Sequence, residues 1–174
     1  MNRRDIIKGI IVLLAVTSLS GYLLAQVFGV TQPLIEEQRR IEEARLNREI
    51  FPEGSSFVDT MENGREFVSV YDSRDNRIGV IFQFRATGYG GPITIKAGKD
   101  NDGRIKAVRI LEHKETPGLG ARITDESFLE QFKRAEPETL YLKKDSASGQ
   151  IDAVTGATIS SRALTDAVRE ELQR

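Results

Sequence analysis

Uncharged, mostly apolar residues fill positions 9–30, GIIVLLAVTSLSGYLLAQVFGV, and about 20 such residues suffice to cross the hydrocarbon core of a bilayer as a helix. The pattern then reverses. TQPLIEEQRRIEEARLNREIF has apolar residues at Leu34, Ile41 and Leu46 among many Glu and Arg, which reads as a charged helical stalk over 31–51, with Pro33 near the start of its own helix. From Ser56 to Leu111 the period shortens to two. FVSVYD (67–72), IGVIFQFRA (78–86), ITIKAG (93–98) and IKAVRILEH (105–113) are strand-like, and Asn63-Gly64 and Asp102-Gly103 supply the tight turns of hairpins. Helical spacing returns in DESFLEQFKRA, with Phe128, Leu129 and Phe132 on one face. It returns again in a C-terminal amphipathic helix through Ile159, Ala163, Leu164, Ala167, Val168 and Leu172. The predicted fold is α+β: a mostly antiparallel sheet with flanking helices, preceded by one N-terminal transmembrane helix and the charged stalk. The boundaries expected are an N-terminal segment 1–8, the span 9–30, the stalk 31–51 and a folded domain 52–174.

Charge gives the span a direction. Arg3, Arg4 and Lys8 precede it and the next basic residue is Arg39, a bias that keeps the N-terminus cytoplasmic and puts the domain outside. NRRDIIKG resembles a twin-arginine signal and Ser18-Leu19-Ser20 offers a peptidase site, but the apolar run continues well past it, so the segment is read as a retained anchor in contact with membrane lipid. A formal net charge of −1 gives no footprint for nucleic acid. With no Cys and one His, thiol catalysis, an iron–sulfur cluster and a Cys- or His-rich metal site are excluded, so redox chemistry requires an organic cofactor and no metal ligand set is expected. KDNDGR lacks the spacing and closing Glu of a calcium loop and reads as a turn.

The stretch IDAVTGATISSRA (151–163) crowds Thr155, Gly156, Ala157, Thr158, Ser160 and Ser161 before the last helix. One reading is a capped helix start. The other is that the free N–H groups of the first turn hold a phosphate, with the Thr158 hydroxyl bonded to it, Gly156 and Ala157 keeping bulk away. No His or Cys adjoins Thr158 in sequence, so it is not a self-activated nucleophile. In HKETPGLGAR, Pro117 with Gly118 and Gly120 makes a tight turn whose tip, Leu119, either packs on a flat ring or tucks into the core. Tyr89, inside GYGG (88–91), stacks on the same ring or covers a sheet edge. Glu115 reads as a hydrogen-bond acceptor for a ligand or an exposed loop carboxylate, His113 as structural or solvent-facing. Arg122 and Arg162 read as phosphate partners or surface residues, and Lys143-Lys144 as a solvated pair.

DAVTGATISS resembles the D-x-x-[ST]-G-A-T motif of the FMN-binding domain family, with Asp152, Thr155, Gly156, Ala157 and Thr158 on the motif positions. The block from Gly88 to Ile123, with GYGG and ETPGLG, resembles the part of that family that closes over the flavin. The order of span, stalk and domain is similar, more narrowly, to G subunits of Rnf electron-transport complexes, and to the related C subunits of sodium-pumping NADH:quinone reductases. The resemblance implies FMN esterified through its phosphate to Thr158, held by Tyr89, Gly90, Glu115, Thr116, Pro117, Gly118, Leu119, Gly120, Thr155, Gly156 and Ala157. It further implies a flavin transferase that takes FMN from FAD with magnesium, and partner subunits of a membrane redox complex.

The expected function follows: an electron-carrier subunit, not an enzyme on its own, in the cytoplasmic (inner) membrane, relaying electrons within a ferredoxin:NAD oxidoreductase coupled to Na+ or H+ movement. The alternatives are the C-type quinone reductase subunit, a stand-alone anchored flavin reductase and a cofactor-free assembly module. No G-x-G-x-x-G followed by a helix and an acid is present, which favours the relay over the reductase.

Overall fold

The structure, a computed structural model, describes residues 3–173, so Met1, Asn2 and Arg174 lie outside the described residues. The chain divides into two compact units, one ending at Ala44 and the other beginning at Arg45.

The first unit is helical. α1 (Arg3–Ile50) is long and apolar enough to cross a membrane, and its apolar stretch buries nothing. Pro33 lies inside this helix and does not begin a second one. The reason is an imbalance of backbone hydrogen bonds. A proline in a helix interior removes one bond and crowds the carbonyl four residues back, costing about 3 kcal/mol. Ending and restarting the helix would orphan several groups at each new terminus and require a second nucleation. One-turn side-chain pairs run across and beyond the proline, Gln32 Nε2 to Glu36 Oε1 (3.1 Å) and Arg39 to Glu43 (3.3 Å).

The second unit is built on five strands, β1 (Ser56–Glu62), β2 (Arg65–Tyr71), β3 (Arg77–Thr87), β4 (Pro92–Asp100) and β5 (Ile105–His113). Each pairs antiparallel with its sequence neighbour, in the order β1-β2-β3-β4-β5. Asn63 (φ 52°) and Gly64 (φ 77°) close the first hairpin as the sequence predicts. In the turn before β5, Asp100 Oδ1 accepts from the N–H groups of Asp102 (3.1 Å) and Arg104 (2.8 Å), with Gly103 at φ 82°.

Side-chain alternation gives the sheet two apolar faces. Phe67, Val80, Phe82, Ile93 and Ile95 share one cluster with Leu164, Val168 and Leu172 of α3 (Thr158–Gln173), while Val70 and Ile81 join Ile50 and Phe51 in a second. The second cluster depends on two glycines. A Cβ on Gly79 would stand 2.4 Å from Phe51 Cζ and one on Gly98 2.3 Å from Ile50 Cγ2, so the phenyl ring and the isoleucine occupy the space of missing side chains.

Between β5 and α3 the chain runs through short helical turns. α2 (Glu126–Leu129) continues as a 3-10 turn to Phe132, burying Phe128, Leu129 and Phe132 as the spacing predicts. At the far end of α3 the Arg65 guanidinium donates to the Glu171 carbonyl and the Lys99 ammonium to that of Leu172, placing cations at the negative end of the helix. Ile159 departs from its expected place on the apolar face: it is 54% exposed, because the first turn of α3 faces a cleft in place of the core.

Candidate functional site

Three backbone devices meet at one end of the second unit. Between β3 and β4, GYGG forms a turn in which Gly88 N–H donates to Gly91 C=O (2.9 Å). It lies so close to the next segment that a Cβ on Gly90 would stand 2.2 Å from the Lys114 carbonyl oxygen. After β5, Leu119 N–H donates to Thr116 C=O (3.2 Å), with Pro117 second and Gly118 third at φ 74°. That is the residue order a type II turn demands. Before α3, Ala157 N–H donates to Val154 C=O (2.9 Å) with Gly156 at φ 81°, and Leu119 Cδ1 sits 2.6 Å from where a Gly156 Cβ would be.

These devices enclose a cleft of about 390 Å³, within the size range of small-molecule sites. Of the residues expected from sequence, Tyr89, Glu115, Thr116, Leu119, Gly120, Gly156, Ala157 and Thr158 line it. Gly90, Pro117, Gly118 and Thr155 do not; Gly90, Pro117 and Gly118 shape the turns on either side, and Thr155 is exposed before the helix. Ile159 and Ser160 complete the lining. Ser160 belongs to the hydroxyl run that the sequence singles out, but nothing in the run says which hydroxyl meets what. Ile159 carries the signal of any apolar helix position.

The crowded hydroxyls separate by task. Ser161 Oγ accepts from Val154 N–H (3.0 Å) and donates to Ala157 C=O (2.9 Å), stapling the turn to the helix. Ser160 Oγ donates to Glu115 Oε2 (2.8 Å). The Thr158 hydroxyl, half-buried on the cleft wall, has no partner among the described residues. Nor does any side chain among them accept from the N–H groups of Thr158, Ile159 or Ser160. The first turn of α3 therefore directs three free donors and the positive end of a 16-residue helix at the cleft.

The remaining candidates resolve as follows. Leu119 is not tucked into the core; it is 47% exposed, and Tyr89 is 71% exposed. Glu115 is buried, not an exposed loop carboxylate. His113 Nδ1 accepts from the Glu115 N–H (3.2 Å), a structural role. Arg162 is committed to Asp145 by two hydrogen bonds, of 2.6 and 2.7 Å. This pairing holds the Asp145 carboxyl below its ordinary range and raises the guanidinium. Arg122 pairs with Asp125 at 3.3 Å. Lys143 pairs with the motif's Asp152 at 2.6 Å, while Gln131 Oε1 accepts from the Asp152 N–H (2.7 Å) and so holds the strand-like lead into the motif.

Gly156 permits a test of this geometry against a control. Gly64 has nearly the same φ but an empty surrounding. Gly64→Ala should lose about 1 kcal/mol, the ordinary strain of a left-handed backbone. Gly156→Ala should lose that plus the displacement of Leu119, lowering the thermal midpoint by several degrees more than the control. Equal midpoints would mean that Leu119 does not rest on the motif glycine.

The chain is similar to several known proteins. The model of the FMN-binding domain family matches residues 88–173, a range that holds the whole cleft lining. The chain is 31% identical to the G subunit of the ion-translocating oxidoreductase complex of Methanosarcina acetivorans, covering 96% of this chain and 93% of that protein. It is 30% identical to the G subunit of the proton-translocating ferredoxin:NAD(+) oxidoreductase complex of Clostridium ljungdahlii, covering 90% and 84%. The Na(+)-translocating counterpart of Acetobacterium woodii is 28% identical over 94% and 88%. Among solved structures, Shewanella oneidensis NqrC shares the fold with a TM-score of 0.53 and 22% identity, covering 70% of this chain and 67% of that one.

Proposed function

The chain belongs to the G-subunit family of ion-translocating oxidoreductase complexes and carries the FMN-binding domain, and from that premise we propose that it is a membrane-anchored electron relay with FMN esterified to Thr158. The observation that carries the reading is the convergence on one cleft of an unpartnered threonine hydroxyl and three free N–H groups at a helix start. These donors suit a phosphodiester, which keeps one negative charge. Leu119, Tyr89 and Ile159 offer exposed apolar surface to an aromatic ring system. The residues present thus fit FMN.

Bound there, FMN supplies reversible one- and two-electron transfer at an isoalloxazine remote from its phosphate. What the chain contributes is attachment, orientation and partial exclusion of water. The cleft lining holds no His, Cys or Lys, and its one carboxylate is already hydrogen-bonded by Ser160. Thr158 is accordingly an acceptor hydroxyl without a base of its own: a flavin transferase takes its proton, the threonine oxygen bonds to the FMN-side phosphorus of magnesium-bound FAD, and the pyrophosphate bond breaks to release AMP. The apolar stretch of α1 spans the cytoplasmic membrane once, with Arg3, Arg4 and Lys8 inside and the domain outside. Partner subunits exchange electrons with the flavin, and the complex couples that exchange to movement of Na+ or H+.

Mass spectrometry of the protein purified from native membranes tests the assignment. The peptide spanning 151–162 should carry one FMN on Thr158. An unmodified peptide at full occupancy would remove the covalent relay from consideration.

A further inference from the structure

Glu115 is the one acid that lines the cleft, and the residues around it are arranged as though for its carboxylate. It is 5% exposed. Oε1 accepts from Gly90 N–H (3.2 Å) and Oε2 from the Ser160 hydroxyl (2.8 Å). Two glycines make its room: a Cβ on Gly88 would stand 2.0 Å from Oε1 and one on Gly120 2.6 Å from Oε2. Its own N–H is bound to His113 Nδ1. One residue thereby joins the GYGG turn, the end of β5 and the first turn of α3.

We propose that Glu115 is a positioning residue for flavin attachment, acting through Ser160 and Gly90 and not by touching the flavin; this rests on the reading of Thr158 as the attachment site. The reach is short. Ser160 is two residues beyond Thr158 in the same helical turn, so a bond from Ser160 to a fixed carboxylate sets the rotation of that turn and the direction of the Thr158 hydroxyl. A buried carboxyl group is well suited to the task, because its two oxygens accept from opposite sides of the cleft at once. Its second bond fixes Tyr89's turn to the same anchor. Both sides of the cleft are then registered on one side chain.

The proposal distinguishes a linked pair from two independent contacts. Full-length protein made without transferase would be incubated with transferase, FAD and magnesium, and covalent flavin followed by fluorescence of the denatured band. Ser160→Ala and Glu115→Ala should each slow attachment by about tenfold or more, and the double variant should be no slower than the slower single one. Glu115→Gln, which keeps an acceptor for Gly90 and a polar group for Ser160, should recover most of the rate. Multiplying effects in the double variant would overturn the proposal in favour of direct contact between Glu115 and flavin, and wild-type rates in the single variants would overturn it outright. Should Glu115→Ala fail to fold, Ser160→Ala is combined with Glu115→Gln: because the amide keeps its bond to Ser160, the serine change should slow the Gln variant about as much as it slows wild type, and a Gln variant of near wild-type rate that is indifferent to the serine overturns the proposal. Hydrogen exchange of the Gly90 amide in the flavin-free protein reads the clamp separately: protection in wild type that Glu115→Ala removes is expected, and unchanged exchange overturns it. If wild type takes no flavin while that protection is present, the reading of Thr158 fails and the clamp stands as a structural device.

Discussion

Replacing Thr158 by Ala should leave a folded, membrane-anchored protein with no covalent flavin: the fluorescent band of the denatured wild type disappears completely. The size of the effect follows from bond type. Noncovalent contacts scale occupancy up or down, whereas removing the only oxygen to which the phosphate is joined leaves nothing to retain FMN through denaturation. The fold should hardly change, since the Thr158 hydroxyl has no partner to lose and the turn is stapled by Ser161. Thr158→Ser is the companion measurement. It keeps a hydroxyl in the same place, so a band of reduced or equal strength is expected, and its rate reports how far the transferase depends on the methyl group. A band that survives Thr158→Ala would move the attachment to another hydroxyl, Thr155 being next in the motif.

An ester at this position, as proposed, would also account for the openness of the cleft. Tyr89 and Leu119 are far from buried, and a flavin retained by contacts alone would require more enclosure. For a domain held outside the cytoplasm, dissociation into a large dilute volume would be close to irreversible. Covalent attachment at the phosphate end would separate retention from access, leaving the cleft accessible to the neighbouring redox centres that the proposed relay requires.

Much of this architecture is legible in the residues because local and global signals agree. Asn63-Gly64 names its turn and lies between runs of matching period, and the 3.6-residue spacing of Leu164, Val168 and Leu172 matches a face that does pack on the sheet. Where the signal is weak, the reason is visible. β1 is an edge strand in which only Phe57 and Thr60 are even half-buried, so SFVDTME shows no alternation. Pro33 is an ordinary boundary marker whose local preference is overridden by long helical runs on either side. The motif residues announce a ligand for Thr158 but are silent on Glu115, whose partners lie 25 and 45 positions away in the chain; only the folded register brings them together.

Phe51 is the position at which sequence reading had least to offer and from which the largest loss of stability is expected. It follows a long charged helix and precedes a proline, a context that looks like linker. Yet it is fully buried, its ring lies in the space left by Gly79 and Gly98, and the Lys106 ammonium stands 5.7 Å from its centroid. Phe51→Ala should remove about 3–5 kcal/mol, a large fraction of the roughly 5–15 kcal/mol typical of a domain. The glycines make the loss harder to repair, because neither neighbour has a side chain with which to fill the cavity. Chemical denaturation of the protein in detergent should show the midpoint falling with little change in slope. Phe51→Leu should lose less than half as much, and the flavin cleft, which shares no lining residue with this cluster, should still accept FMN below the new midpoint. If Phe51→Ala instead unfolds with wild-type stability, the second core contributes nothing measurable, and the folded unit effectively starts at the sheet.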